Sequence, residues 1–160
     1  MLQLGVKMRF ILIAIIVFGC SQQESEEVPH FRGVKAFQYL EKQCEFGPRN
    51  PGSTGHKEFA NYLENFLKER SDNILIQEFE YIEPVTESLR KGKNFIVQFN
   101  QDAKYRLLIG AHWDTRAISD QDKNIEHKTL PVLGANDGAS GTAILMTLYD
   151  MFTADEPPIG

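Results

Sequence analysis

Cysteine is scarce here: Cys20 and Cys44 are the only two in 160 residues. With so few thiols no disulfide framework can staple a small fold, so the domain must rest on an apolar core. Concentrated positive charge is lacking too. The net charge is -5, and the densest basic stretch is Arg90, Lys91 and Lys93. It lies between two strand-like runs and reads as a solvated loop. A phosphate-binding surface needs Lys and Arg gathered on one face, so nucleic acid is not expected as a partner. The Gly-x-x-x-x-Gly-Lys phosphate loop and the Gly-x-Gly-x-x-Gly dinucleotide turn are both missing, and there is no internal repeat. What is present, 42% hydrophobic and 24% charged residues, is an ordinary globular balance.

The first twenty residues stand apart. Lys7 and Arg9 precede an apolar run, Phe10 to Gly19, that is too short to span a bilayer comfortably. A positive flank before a short apolar segment is the pattern of a secretory signal peptide, and Met8 as the start would make it tighter. The run ends Val17-Phe18-Gly19-Cys20, which resembles a bacterial lipobox with Cys20 as the lipidated first residue of the mature protein. Phe18 is bulkier than usual for that motif. Ser21 after the cysteine fits outer-membrane sorting. The expected location is therefore exported and lipid-anchored, at the outer membrane, facing the periplasm or the cell exterior. Residues 1–20 are expected to be the signal peptide, and 21–29, rich in Ser, Gln and Glu, a disordered tether. The remainder, 30–160, is expected to be one folded unit.

Within it, Phe31 to Phe46 has helical periodicity, with Val34, Phe37, Leu40 and Cys44 on the buried face. Gly47-Pro48-Arg49-Asn50-Pro51-Gly52-Ser53 is a turn-rich break. A second helix follows from about Thr54 to Arg70, burying Phe59, Tyr62, Leu63, Phe66 and Leu67 and capped by Ser53 or Thr54. Ile74 to Ile82, Asn94 to Phe99 and Tyr105 to Ala111 read as strands. Asn100-Gln101-Asp102 turns between the last two. The continuous apolar run Leu107-Leu108-Ile109 reads as a central strand covered on both faces. A polar loop, Ala117 to Thr129, precedes Leu130 to Leu133. A helix from about Gly138 to Phe152 then presents Ile144, Leu145, Leu148, Met151 and Phe152. The order implies an α/β fold: a mixed, mostly parallel sheet flanked by helices, cut short at its C-terminal side.

Two segments carry the chemistry. Gly110-Ala111-His112-Trp113-Asp114-Thr115-Arg116 closes the third strand. Gly134-Ala135-Asn136-Asp137-Gly138-Ala139-Ser140-Gly141 opens the last helix. In an open α/β sheet both lie at the carboxyl ends of strands, where active sites form. His112 and Asp114, two apart on a strand end, point the same way. The Asp114 carboxylate can hold one imidazole nitrogen and leave the other for a metal. Asp137 is a hard oxygen ligand that suits zinc beside a histidine. Each element has a plainer alternative: a surface hydrogen bond for His112-x-Asp114, and a helix N-cap for Asp137. Trp113 is equally a pocket wall or a core residue. His30, His56 and His127 are not expected to bind metal.

Taken together, and in this order, the segments resemble the M28-type zinc exopeptidases, and within them the glutaminyl-peptide cyclotransferase branch. The segment around His112 is similar to that family's His-aromatic-Asp-Ser/Thr-basic stretch, and Gly134 to Gly141 to its metal-Asp turn. Phe46-Gly47-Pro48-Arg49 and Asn94-Phe95-Ile96-Val97 match flanking segments. The resemblance implies a zinc enzyme acting on peptide N-termini. As a cyclase it would use one zinc, bound by Asp137 and in most such enzymes not by the counterpart of His112, and convert N-terminal Gln to pyroglutamate. As an aminopeptidase it would use two, with His112 and Asp137 both ligands. A non-catalytic, lipid-anchored binding protein on the same scaffold is the third alternative. Asp114 corresponds to the orienting carboxylate. The family's general-base Glu and remaining ligands have no counterpart here and are expected beyond Gly160, so these residues alone are expected to be inactive.

Overall fold

The computed structural model describes residues 29–84 and 87–160. The signal peptide, the lipidated Cys20 and nearly all of the tether lie outside the described residues. Every element falls within the unit Phe31–Gly160. No helix among the described residues is long and apolar enough to cross a membrane.

Three helices and one hairpin make the frame. Helix α1 spans Gly33–Glu45, α2 Thr54–Lys68 and α3 Ser140–Ala154. The Ser53 side chain accepts from the His56 N–H and satisfies one orphan donor of the first turn of α2. Phe59, Leu63, Phe66 and Leu67 of α2 are buried, as their spacing requires. They pack with Tyr39 of α1 and with Ala143, Met146 and Tyr149 of α3. Polar ties fix the layer: Tyr149 Oη donates to Leu67 O at 2.7 Å, and Tyr39 Oη donates to the Asp150 carboxylate. Burial, reinforced by that carboxylate, pushes the Tyr39 phenol well above its ordinary pKa.

Two helices turn a different face to the core from the one apolar spacing predicts. In α1 the buried residues are Ala36, Tyr39 and Gln43, whereas Val34 and Phe37 are exposed and Cys44 is only half-buried. Tyr39 and Gln43 reach polar partners inside the layer and thereby set the rotation of the helix. In α3, Thr142, Ala143, Met146 and Thr147 are buried, and Ile144 is exposed. The Thr147 hydroxyl donates back to Ala143 O at 2.9 Å, so this polar side chain is satisfied within its own helix.

The sheet also departs from expectation. It is a two-stranded antiparallel hairpin, β1 Ile74–Glu83 and β2 Ser88–Val97. Arg90, Lys91 and Lys93, expected in a loop, lie on β2 opposite Tyr81, Glu80 and Glu78. Opposite charges facing one another across the ladder explain why this basic run pairs rather than loops. Lys93 Nζ stands 2.9 Å from Glu78 and 3.4 Å from Glu64 of α2.

Tyr105–Ala111 is extended, yet its ladder is limited to two bonds with the last residue. Leu107 N donates to Gly160 O at 2.8 Å, and Gly160 N to Tyr105 O at 3.0 Å. Leu107, Leu108 and Ile109 are 63%, 91% and 50% exposed. They are therefore not covered on both faces among the described residues, because no described segment supplies the neighbouring strands. With Leu145 and Leu148 of α3 they wall an open apolar cavity of about 390 Å³. The α/β class holds, and the mostly parallel sheet is represented here by a single bridge.

Candidate metal centre

The extended segment carrying His112 is pinned to α3: the Thr142 hydroxyl donates to His112 O at 2.9 Å. The imidazole then lies between two carboxylates. Its Nδ1 is 3.1 Å from Asp114 O and 3.3 Å from Asp114 Oδ1, while its Nε2 is 2.9 Å from Asp137 Oδ1. The three side chains are 55%, 44% and 67% exposed, so the cluster is open to solvent.

Asp137 caps no helix. Its backbone is non-helical (φ -91°, ψ 105°) at a kink before α3, and Gly138 follows at φ 96°. A Cβ at Gly138 would lie 2.7 Å from Asp114 O and 3.2 Å from His112 Cε1. Glycine here provides both the left-handed turn and the space for the imidazole. Gly134, at φ 67°, opens the same turn against Thr115, with room for no Cβ.

Burial works against a charged His112 ring, but Asp114 and Asp137 outweigh it and raise the imidazole pKa above its ordinary value. The proton they favour sits where a cation would be shared by Nε2 and Asp137. A nitrogen whose ring-mate is fixed by a carboxylate, facing an anionic oxygen, has the donor chemistry of a zinc site. His112 and Asp137 are thus the two groups able to hold zinc, with Asp114 orienting the ring. Among the described residues no group of three or more His, Cys, Asp or Glu side chains is arranged to hold a metal ion.

The residue that sequence reasoning underrated is Arg49. It is fully buried. Its guanidinium donates to Gln43 O (3.0 Å), Gly47 O (3.2 Å), Trp113 O (3.2 Å) and Gly134 O (3.1 Å). Its backbone N–H donates to Thr115 Oγ1 at 2.8 Å. One side chain thus ties the end of α1 to both site segments. Burial lowers its pKa, while Asp114 acts in the opposite direction. Gln43 adds a second tie, donating to Ala139 O at 2.9 Å. The available signal was an arginine set among turn residues with no acidic neighbour in sequence.

Trp113 packs against the core and also lines the apolar cavity beside Leu107, Leu108 and Ile109. Its Nε1 donates to Lys93 O at 3.0 Å, and its ring meets His56, Phe59 and Phe95. His56 stacks on it, with centroids 4.4 Å apart, and is 8% exposed. His127 sits in the polar loop, 3.6 Å from Asp122, and His30 is exposed at the start of the described chain. That loop is largely exposed, as its charges implied, with one short 3-10 turn, Ile125–His127.

Two expectations follow. Arg49→Met should destabilise the fold by about 3 kcal/mol or more, because several buried carbonyls lose their donor. Arg49→Lys should recover little of this, because an ammonium lacks the planar fork. Urea unfolding measures both. Burial, aided by Lys57 and opposed by Asp114, lowers the His56 pKa. The stability this brings is present above the unfolded value of about 6.5 and is lost as pH falls through the depressed folded value. His56→Phe should flatten that acid-side loss in a Tm-against-pH series.

Comparison with known proteins bears on the fold and the family. The family model for Peptidase family M28 matches residues 94–159. Among solved structures, a glutaminyl cyclase from Bacteroides thetaiotaomicron is 33% identical over 83% of this chain and 45% of its own, at a TM-score of 0.77. A leucine aminopeptidase precursor from the same organism is 33% identical over 83% and 46%, at 0.78. A Zn-dependent exopeptidase from Parabacteroides distasonis is 32% identical over 83% and 45%, at 0.78. No curated protein matches. The chain spans a little under half the length of these structural relatives. By sequence over residues 94–159, about two-fifths of its length, and by fold over most of it, the chain belongs to peptidase family M28, next to neighbours that include both glutaminyl cyclases and zinc-dependent exopeptidases.

Proposed function

We propose that this chain provides one part of a zinc site that acts on the N-terminus of peptides, and that the reaction is glutaminyl cyclisation. The observation that carries the reading is the convergence of His112 Nε2 and Asp137 Oδ1 at 2.9 Å, with Asp114 holding the opposite ring nitrogen. The likeness to glutaminyl cyclases supports the choice of reaction.

In that reaction the peptide's own amine attacks the side-chain amide carbon of an N-terminal Gln. A C–N bond forms to close the lactam, the C–N bond to ammonia breaks, and the amine's proton goes to the departing ammonia. Zinc, when bound, supplies Lewis-acid polarisation of the carbonyl under attack. In the cyclase Asp137 would hold it, His112 would stand beside it with its tautomer fixed by Asp114, and Arg49 would keep the two segments in register. A two-zinc aminopeptidase is the second reading. It is favoured by the orientation of His112 Nε2 toward Asp137, which would make the imidazole a ligand in its own right.

The whole protein, incubated with a Gln-initiated peptide, is expected to release ammonia and leave the peptide chain intact by mass spectrometry. Release of a free amino acid, with two zincs per chain rather than one, would support the aminopeptidase. Neither product would sink both. Asp137→Asn should weaken zinc binding at least tenfold in a chelator competition, and Asp114→Asn should do so by about tenfold.

We infer further that Cys20 is lipidated and anchors the protein at the outer membrane. The protein is expected to partition into the detergent phase. Cys20→Ala should move it to the aqueous phase, and equal partitioning of the two forms would refute the anchor.

A further inference from the structure

Between α2 and β2 lies a groove of about 310 Å³ whose charge contrasts with that of the chain. The whole sequence carries a net charge of -5. The groove is lined by Lys57, Arg90, Lys91 and Lys93, with His56 and Asn61, and by no acidic residue. These cations are not equally engaged. Lys93 is held by Glu78 at 2.9 Å and Glu64 at 3.4 Å, whereas Lys91 has Glu80 no nearer than 3.9 Å. Arg90 is more telling. Its Nε is sealed from solvent and has no hydrogen-bond acceptor among the described residues. Gly52 lies against the guanidinium: a Cβ there would fall 2.8 Å from Arg90 Nη1. A buried cationic donor with no acceptor, beside lysines that are only partly paired, leaves this groove with a surplus of positive charge.

The groove is joined to the segment that carries His112 and Asp114 through packing. His56, which lines it, stacks on Trp113, between His112 and Asp114 in the chain. Trp113 Nε1 donates to Lys93 O, on the groove's other wall. Tyr81, opposite Arg90 on the hairpin, lies in the fields of both Asp114 and Arg90; burial and Asp114 raise its pKa while Arg90 lowers it.

We propose that this groove binds an acidic side chain of the peptide substrate, so that the protein prefers peptides carrying Asp or Glu beyond their first residue. The inference rests on the peptide-N-terminus reading above, and binding tests it separately from turnover. The carboxylate would be received by the exposed Lys57 and Lys91 ammonium groups, with the Arg90 guanidinium adding positive charge beneath them.

The probe is a Gln-initiated peptide containing two Glu residues, compared with the same peptide containing Gln in their place. Binding to the whole protein is followed by the fluorescence of Trp113, the single tryptophan, and by backbone amide shifts at Lys57, Asn61 and Arg90. Saturable binding of the acidic peptide, several times tighter than that of the neutral one and weakened by salt, is the expected result. Lys57→Gln and Arg90→Gln should each weaken it by up to about fivefold, the range of a partly exposed charge pair. Circular dichroism establishes that both variants are folded, and Lys57, being exposed, is the variant least able to disturb the fold. Equal binding of the two peptides, or acidic-peptide binding unchanged in both variants, would overturn the proposal. So would displacement of the peptide by an equal concentration of inorganic phosphate, which would make the groove a general anion site. Chelator-competition zinc affinity should be the same in Lys57→Gln as in the parent. A protein that turns over both peptides equally refutes the groove alone, whereas one that turns over neither but still prefers the acidic peptide refutes the catalytic reading alone.

Discussion

A buried guanidinium with no carboxylate at contact distance among the described residues holds the working end of this molecule together. Arg49 donates to carbonyls from α1, from its own turn, from the strand-end segment and from the glycine turn. Desolvating a cation is costly, and the cost is bearable only because nearly every donor is used. The consequence is positional. Trp113 O and Gly134 O receive bonds from the same planar group, so the two segments that bring His112 and Asp137 together cannot move independently. Thr115 strengthens the clamp by exchanging bonds with the Arg49 backbone, and Gln43 holds the turn from the side of α1.

On this frame the two histidines of the region behave in opposite ways. His56 is enclosed between Trp113 and the groove and is pressed toward its neutral form. His112 faces solvent between two carboxylates and is drawn toward its charged form. Residues only a few side chains apart therefore fill different roles, one as packing and one as a site for a positive charge. The division is set by exposure and by the placement of Asp114 and Asp137, not by residue type.

Much of this was legible in the sequence, and the failures have physical causes. Helix α2 was readable because its apolar periodicity and its Ser53 cap agree. The His112, Asp114 and Asp137 cluster was readable because strand-end spacing and glycine placement constrain where those side chains can go. The faces of α1 and α3 were misjudged because Tyr39, Gln43, Thr142 and Thr147 are buried with polar partners that a hydrophobic pattern does not count. The basic run on β2 reads as a loop in sequence because the carboxylates that neutralise it, Glu78 and Glu80, lie on the facing strand. The role of Arg49 depends on four carbonyls from distant parts of the chain, which composition cannot reveal.

The edge along Tyr105–Ala111 has a consequence outside catalysis. Among the described residues it carries two ladder bonds and three exposed aliphatic side chains in a row, the features that let a segment accept another strand. A strand added there would satisfy its amides and cover its leucines, and by fixing this backbone it would also steady the chain that leads into His112.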